Sequence, residues 1–397
     1  YLEDTGELVW IDWIYNRPRY KDDQVPQQLG AFLNIPVYET STTPEDLVNT
    51  GGNFMADGLG TAFSSDLVLD ENGANNQYGT SNHSEGAVDS IMNQYMGIDE
   101  YIKMEALPYD LIHHIDMHMK LIDEETILVG EYPEGIADGP QIEANIQYVL
   151  DQYQTAFGRP FNIKRIPMPP GPDGNYPNQG DDYRTYANAL IANSNIIVPT
   201  YTEEYDTTAL RIWRELMPGY NVQGINCNQI IPLSGALHCI TKEVAVSESS
   251  LISMKKEESW CANETFVFEV QLNTKQSVAA VNFVLVEDGS EEPIAMDMVS
   301  ESIYSIDLES YAEGSSIEYF IQVELENGDE ILRPLVGAHG PRKTEFINCG
   351  VVSTAEEVVA ALNVFPNPAS AITCVEVEQF TNEPIRIELI NMLGQVV

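Results

Sequence analysis

Basic residues are scarce in this sequence. Nineteen Lys and Arg stand against 62 Asp and Glu over 397 residues, a formal net charge of −43. That argues against nucleic acid as a partner, because binding phosphates needs cations. It argues equally against docking on anionic lipid. Such acidity keeps a chain soluble and self-repelling, and it suits a salty habitat where screening relaxes the repulsion. No apolar run approaches the roughly 20 residues of a membrane span. Among the five cysteines no CxxC pair occurs, which disfavours a zinc ribbon. Neither HExxH nor an EF-hand pattern is present, so no metal site can be placed from spacing; a structural calcium or sodium ion stays open for so acidic a chain. There is no initiating Met and no visible signal peptide. The first residues read as mid-domain sequence, so the chain is expected to be a fragment or mature product, with a lost leader left open.

The 43 % hydrophobic content is ample for a sizeable core, and the length allows two or three domains. Up to about residue 245, helix and strand signals alternate, which predicts an α/β fold. "TILVGEY" (126–132), "FNIKRIPM" (161–168) and "NIIVPTY" (195–201) read as strands. "IEANIQYVLDQYQTAFG" (142–158) reads as a helix closed by Gly158, and "TALRIWRELMPG" (208–219) as another. The Pro-, Gly- and Asp-rich stretch 169–183 is a long surface loop, of a length uncommon unless functional or disordered. After about residue 250 the period changes to 2, with Asn327-Gly328 as a hairpin turn. The domains expected are 1–247, a β-sandwich of Ig-like size at 256–349, a linker at 350–362 and the start of a third β module at 363–397. Cys261 and Cys349 bracket the sandwich. They either pair or stay free, and an oxidising compartment permits the pair.

Four clusters could carry chemistry. "IHHIDMHMK" (112–120) holds three of the six histidines. It can be read as a metal site, as an acid/base pair or as structural. On an extended strand His114, Asp116 and His118 would share one face. "GGNFMADG" (51–58) offers Asn53 and Asp57 either to a pocket or to Asx turns. In "WIDWIYNRPRY" (10–20), Pro18 favours an extended backbone, so Arg17 and Arg19 would point the same way. They either clamp a carboxylate or sit on the surface under aromatic cover. "SGALHCITKE" (234–243) places His238 beside Cys239. A thiol there is a nucleophile only if it can be ionised, and buried structural cysteines are common.

Taken together, the order GGNxxxDG, HxD, YxN and GALHCIT resembles the guanidine-modifying deiminases. Within them it is most similar to the bacterial, Porphyromonas-type peptidylarginine deiminase and agmatine deiminase group. The resemblance covers about residues 1 to 245 and includes "RIPMPP", "TYANALI" and "VPTY". It implies a pseudo-fivefold α/β propeller with a central acidic site. In that likeness Cys239 is the nucleophile, His114 the catalytic acid/base, Asp116 a guanidinium-binding carboxylate and Asn188 a pocket residue. The implied chemistry is attack of Cys239 on the guanidinium carbon, a covalent thiouronium intermediate, loss of ammonia through His114 and release by water. No redox or nucleotide cofactor is implied. The family's second guanidinium-binding aspartate lies in an Arg-Asp motif that would precede Tyr1, and Asp4 reads as part of a hairpin turn instead.

Arg17 and Arg19 match the segment with which secreted bacterial peptidylarginine deiminases grip a C-terminal carboxylate, whereas a tyrosine of that relative is Leu111 here. A catalytic domain followed by an Ig-like module resembles the layout of those enzymes. "VFPNPAS" with "IELINMLGQVV" is similar to the start of the C-terminal sorting domain of type IX secretion in Bacteroidetes-type bacteria. The resemblance therefore implies a secreted or surface-attached enzyme acting on arginine-containing peptides and handled by the type IX machinery. Two rivals remain: a secreted agmatine or free-arginine deiminase, and a catalytically inactive surface binding protein.

Overall fold

The computed structural model describes residues 1–349 apart from Glu3, Gly180, Val246 and Ser247, together with the strands Leu362–Phe365 and Cys374–Val377. Apart from those two strands, the expected linker and third module lie outside the described residues. Residues Tyr1–Ile347 form one compact unit and Asn348–Val397 another.

The first part of the chain repeats one plan. A strand turns back antiparallel into a second strand, a helix crosses over, and a third strand pairs parallel with the second. The opening unit shows only the latter half: β1 (Trp10–Asp12), α1 (Tyr20–Asp23), α2 (Val25–Leu33) and β2 (Val37–Glu39), with β1 parallel to β2. The next three are complete. They are β3 (Met55–Ala56), β4 (Thr61–Ser65), α3 (Leu67–Asn72), α4 (Glu85–Met96) and β5 (Glu100–Met104); then β6 (Met119–Leu121), β7 (Thr126–Glu131), α5 (Gly139–Gln152) and β8 (Asn162–Pro167); then β9 (Leu190–Ala192), β10 (Asn195–Thr200), α6 (Glu203–Leu216) and β11 (Asn221–Asn226). Helices cover the parallel pairs, so their central strands are buried on both faces; β7 is buried from Thr126 to Gly130. Side chains from Met55 to Leu237 share one core, with Trp213 and Tyr186 fully buried in it.

Two expectations change here. The helix predicted at 142–158 spans Gly139–Gln152 and stops where Tyr153 becomes extended. Gly158 (φ 73°) instead closes a turn, donating its N–H to the Thr155 carbonyl, and that turn returns the chain to β8. The helix predicted at 208–219 begins earlier, at Glu203, with three acidic side chains in its first turn that suit the positive helix end.

Ten strands follow: β12 (Ser250–Ser253), β13 (Ser259–Cys261), β14 (Phe266–Thr274), β15 (Val278–Glu287), β16 (Ser290–Ala295), β17 (Asp297–Ser300), β18 (Ile303–Leu308), β19 (Ser316–Leu325), β20 (Glu330–Arg333) and β21 (Arg342–Ile347). They make a four-stranded sheet, β12-β14-β18-β17, and a six-stranded one, β13-β21-β19-β15-β16 with β20 on β19. Alternate residues of β14 (Phe268, Val270, Leu272) turn inward, as a half-buried strand requires, and share a second core with Phe283 and Tyr319 of the other sheet. Cys261 and Cys349 are both disulfide-bonded, whereas Cys227 and Cys239 carry free thiols. In the second unit β22 (Leu362–Phe365) pairs antiparallel with β23 (Cys374–Val377). No helix among the described residues is long and apolar enough to cross a membrane.

Candidate active site

The entry loop of each complete unit, just before its first strand, leads to one place. Gly51–Asn53 precedes β3, Ile115–Met117 precedes β6, and Asn188 precedes β9. The turn His238–Ile240 follows β11. A cavity of about 830 Å³ is lined by Arg17, Arg19, Thr50, Gly52, His114, His238 and Cys239 among others.

The histidine segment is not a strand. His114 is extended, but residues 115–117 form a 3-10 turn, closed by the N–H of Met117 on the His114 carbonyl and that of His118 on the Ile115 carbonyl. Buried Asn53 fixes this turn: its Oδ1 accepts from the N–H of Ile115 at 3.2 Å and of Ser65 at 2.9 Å. Asn53 thus ties β4 to the turn and does not line the cavity, while Asp57 makes an Asx turn to Leu59 and Thr61. The turn separates the histidines. His114 faces the cavity; His113 (φ 56°) turns its Nδ1 to the Leu107 carbonyl; His118 is buried with neither ring nitrogen partnered. Among the described residues no group of three or more His, Cys, Asp or Glu side chains could hold a metal ion.

Asp116 is fully buried and central. Its Oδ2 lies 2.7 Å from His238 Nδ1 and 3.5 Å from Cys239 Sγ, while its Oδ1 is buried with no partner. Asn188 links the parts. Its Nδ2 donates to Cys239 Sγ (3.1 Å) and to the Asp116 carbonyl (3.3 Å), and its Oδ1 accepts the His238 N–H (3.0 Å). The thiol fits because residue 235 is glycine: a Cβ there would lie 2.8 Å from Cys239 Cβ. His114 Nε2 is 3.2 Å from Thr50 Oγ1.

Burial, and then the Asp116 charge, push the Cys239 thiol up to about 12. Burial also pulls His114 down to about 4 against the pull of Asp116, with Arg17 and His113 adding to the fall. The site therefore holds a neutral thiol, a neutral His114 and a buried carboxylate, one oxygen of which lacks a hydrogen-bond partner. That arrangement suits a flat cation with N–H donors, which would pair with the carboxylate and favour the thiolate.

Arg17 and Arg19 both line this cavity, although the backbone between them is not extended. The Arg19 N–H closes a tight turn on the Arg17 carbonyl around Pro18. Sequence reasoning brought Cys239, His114, Asp116, Asn188, Arg17 and Arg19 to one region. It missed Thr50, the space that Gly52 leaves and the His238–Asp116 contact; the His-Cys doublet was the available signal for the last.

The profile of the Porphyromonas-type peptidyl-arginine deiminases matches residues 5–244. The chain belongs to that family. Its chemistry is hydrolysis of the C–N bonds of linear amidines, the deimination of a guanidinium group. An Enterococcus faecalis protein described as "Putative agmatine deiminase" is 24% identical over 274 residues, 61% of this chain and 71% of that one. The solved agmatine deiminase of Enterococcus faecalis is 22% identical, with a TM-score of 0.51 over 61% of this chain and 71% of its own, which shows the shared guanidine-modifying enzyme fold. A structure from Porphyromonas gingivalis described as "Putative Arginine Deiminase" is 26% identical with a TM-score of 0.47. This chain spans 55% of its own length and 63% of that one in the comparison.

Proposed function

We propose that this family member converts C-terminal peptidyl-arginine to peptidyl-citrulline and ammonia. The observation that carries the substrate is the presence of Arg17 and Arg19 in the lining of the cavity that holds Cys239 and His114. Two guanidiniums there suit a carboxylate, which a C-terminal arginine has and agmatine lacks. The substrate guanidinium pairs with the Asp116 carboxylate. With that charge offset, Cys239 passes its proton to neutral His114 and its sulfur bonds to the guanidinium carbon. His114 returns the proton to the departing nitrogen, and ammonia leaves a thiouronium. Water, deprotonated by His114, then adds to the same carbon, the C–S bond breaks, and the urea-type product and thiol are released. The chemistry uses side chains alone, with no redox or nucleotide cofactor.

The four repeating units are read as part of a pseudo-fivefold propeller, the two packed sheets as an Ig-like module and residues 363–397 as the start of a sorting domain. With these goes secretion through the type IX machinery to the medium or cell surface. A second reading, deimination of agmatine or free arginine, draws on the relatives named as agmatine deiminases.

Product is followed with an arginine-terminated peptide, the same peptide amidated, and agmatine, with Cys239→Ala as blank. Turnover of the free-carboxylate peptide is expected, with KM raised about 10- to 100-fold by Arg17→Ala or Arg19→Ala. Turnover of agmatine alone moves the protein to the small-amine reading. No Cys239-dependent product refutes both and leaves a binding protein.

A further inference from the structure

We propose that His238 is a positioning residue: it holds the Asp116 carboxylate by one oxygen and so fixes the orientation in which that carboxylate meets the guanidinium. The proposal rests on the deiminase reading of this site. A fully buried carboxylate needs partners, and among the described residues His238 is the one basic side chain within ion-pair reach of Asp116. The contact, 2.7 Å from Nδ1 to Oδ2, is as short as charge-assisted hydrogen bonds are. A carboxylate oxygen is an acceptor, so the proposal puts the proton of this contact on Nδ1. The backbone of His238 is held as well, its N–H shared between Oδ1 and the carbonyl of Asn188. Both ends of the residue are thus fixed to groups that also touch Cys239, since Asn188 Nδ2 and Asp116 Oδ2 both reach its sulfur.

This geometry assigns Oδ2 to His238, while Oδ1 is buried without a hydrogen-bond partner and Asp116 sits just behind the cavity lining of His114, His238 and Cys239. A carboxylate released from His238 would rotate about its terminal torsion, which is soft, and would no longer face the substrate in one orientation. His238 therefore acts through Asp116 on binding and orientation, by its Nδ1 alone.

Choosing which ring nitrogen to replace tests this. The amide nitrogen of Asn occupies the place of Nδ1, and that of Gln the place of Nε2. With the arginine-terminated peptide, His238→Ala is expected to raise KM about 10- to 100-fold, the loss of one hydrogen bond to a charged group. His238→Asn should recover most of that loss, and His238→Gln should resemble Ala. Rescue by Gln but not Asn, or equal and small effects from all three, overturns the proposal.

An independent readout needs no turnover. In the free protein with ¹⁵N-labelled histidine, the His238 resonances, assigned by their disappearance in His238→Asn, should show a protonated Nδ1. They should move on Asp116→Asn. An unprotonated Nδ1 at neutral pH overturns the proposal even if no substrate is ever turned over, and a protonated one upholds the contact even if the deiminase reading fails.

Discussion

Cys239 should be an unusually poor nucleophile until a cation enters the site, and Asp116 should be part of the reason. Burial comes first and the Asp116 charge second in raising the thiol from 9.0 to about 12. Three units leave about a thousandfold less thiolate at neutral pH. A more basic thiolate is intrinsically more nucleophilic, with a Brønsted slope of about 0.4–0.5, which restores about 1.2–1.5 of those three powers of ten. The net expectation is a reaction with a small neutral thiosulfonate roughly 30- to 60-fold slower than an ordinary thiol, with partial burial slowing it further. The assay is mass-spectrometric labelling against pH, with Cys239→Ala giving the background from Cys227, the other free thiol among the described residues and one that is fully buried. The rate should rise tenfold per pH unit from pH 7 to pH 10. Asp116→Asn removes a charge that opposes ionisation, so it should label faster than wild type although it loses the group that would hold substrate. A plateau below pH 9, or an Asp116→Asn protein no faster than wild type, would refute the electrostatic account of the site.

Two further outcomes follow from contacts around the same loops. A Cβ at Gly52 would lie 2.6 Å from His114 Nδ1 and 3.2 and 3.3 Å from the Asp116 oxygens, so Gly52→Ala should cost about 1–3 kcal/mol in a thermal or urea melt and about a hundredfold in kcat by displacing both side chains; wild-type kcat would show that the pair tolerates the displacement. Asp110 is buried beside Asp116 and Asp138, and burial foremost raises its carboxyl to about 7. The folded state therefore keeps a proton that the unfolded state loses above 3.8, so stability drains away between pH 3.8 and 7 and stays lost above, by up to about 4 kcal/mol. Asp110→Asn should be more stable than wild type at pH 8 and not at pH 4. His114 and His118, both pulled down to about 4 chiefly by burial, have the opposite slope between pH 4 and 6.5 but are common to both proteins; a gap of equal size at pH 4 and pH 8 would refute the assignment.

The parts of this architecture legible in the sequence were those where one period dominates. The inward alternation of Phe268, Val270 and Leu272 in β14, and the apolar run of β7 between a helix and its neighbours, are read directly from side-chain spacing. The site was legible by a different route. The order of GGN, HxD, YxN and HC along the chain pointed to a family, while no local period could say that Asp116 lies in a 3-10 turn that an extended His114 leads into. That turn is imposed from outside, by Asn53 reaching across 62 residues to the Ile115 N–H. The same applies to Arg17 and Arg19. The sequence placed them together through an extended backbone, but the chain brings them to one cavity through a turn at Pro18. The end of α5 was misjudged because Tyr153 and Phe157 continue the helical spacing, although the Thr155 hydroxyl takes the Phe157 N–H and favours a turn.

The scarcity of basic residues gives their positions weight. Three of them converge on one acidic turn, 123–125, between β6 and β7. Arg333 of β20 bonds both oxygens of Glu124, and Arg159 bonds both of Glu125. Lys256 donates its backbone N–H to Glu125 and its Nζ to Asp123. Glu124 and Glu125 are nearly as buried as core residues, so either one left alone would cost about 3–5 kcal/mol. The apolar side chains of the catalytic half and of the two packed sheets form separate clusters. Ion pairs at this turn join the two halves, alongside the close backbone approach of Pro218 and Gly219 to His339 and Gly340. Because the carboxylates are buried, salt should weaken this link less than it weakens exposed pairs such as Arg211–Glu215. The turn also continues β6, whose first residue, Met119, lies three beyond Asp116. The packed sheets thus brace the hairpin from which the catalytic turn projects.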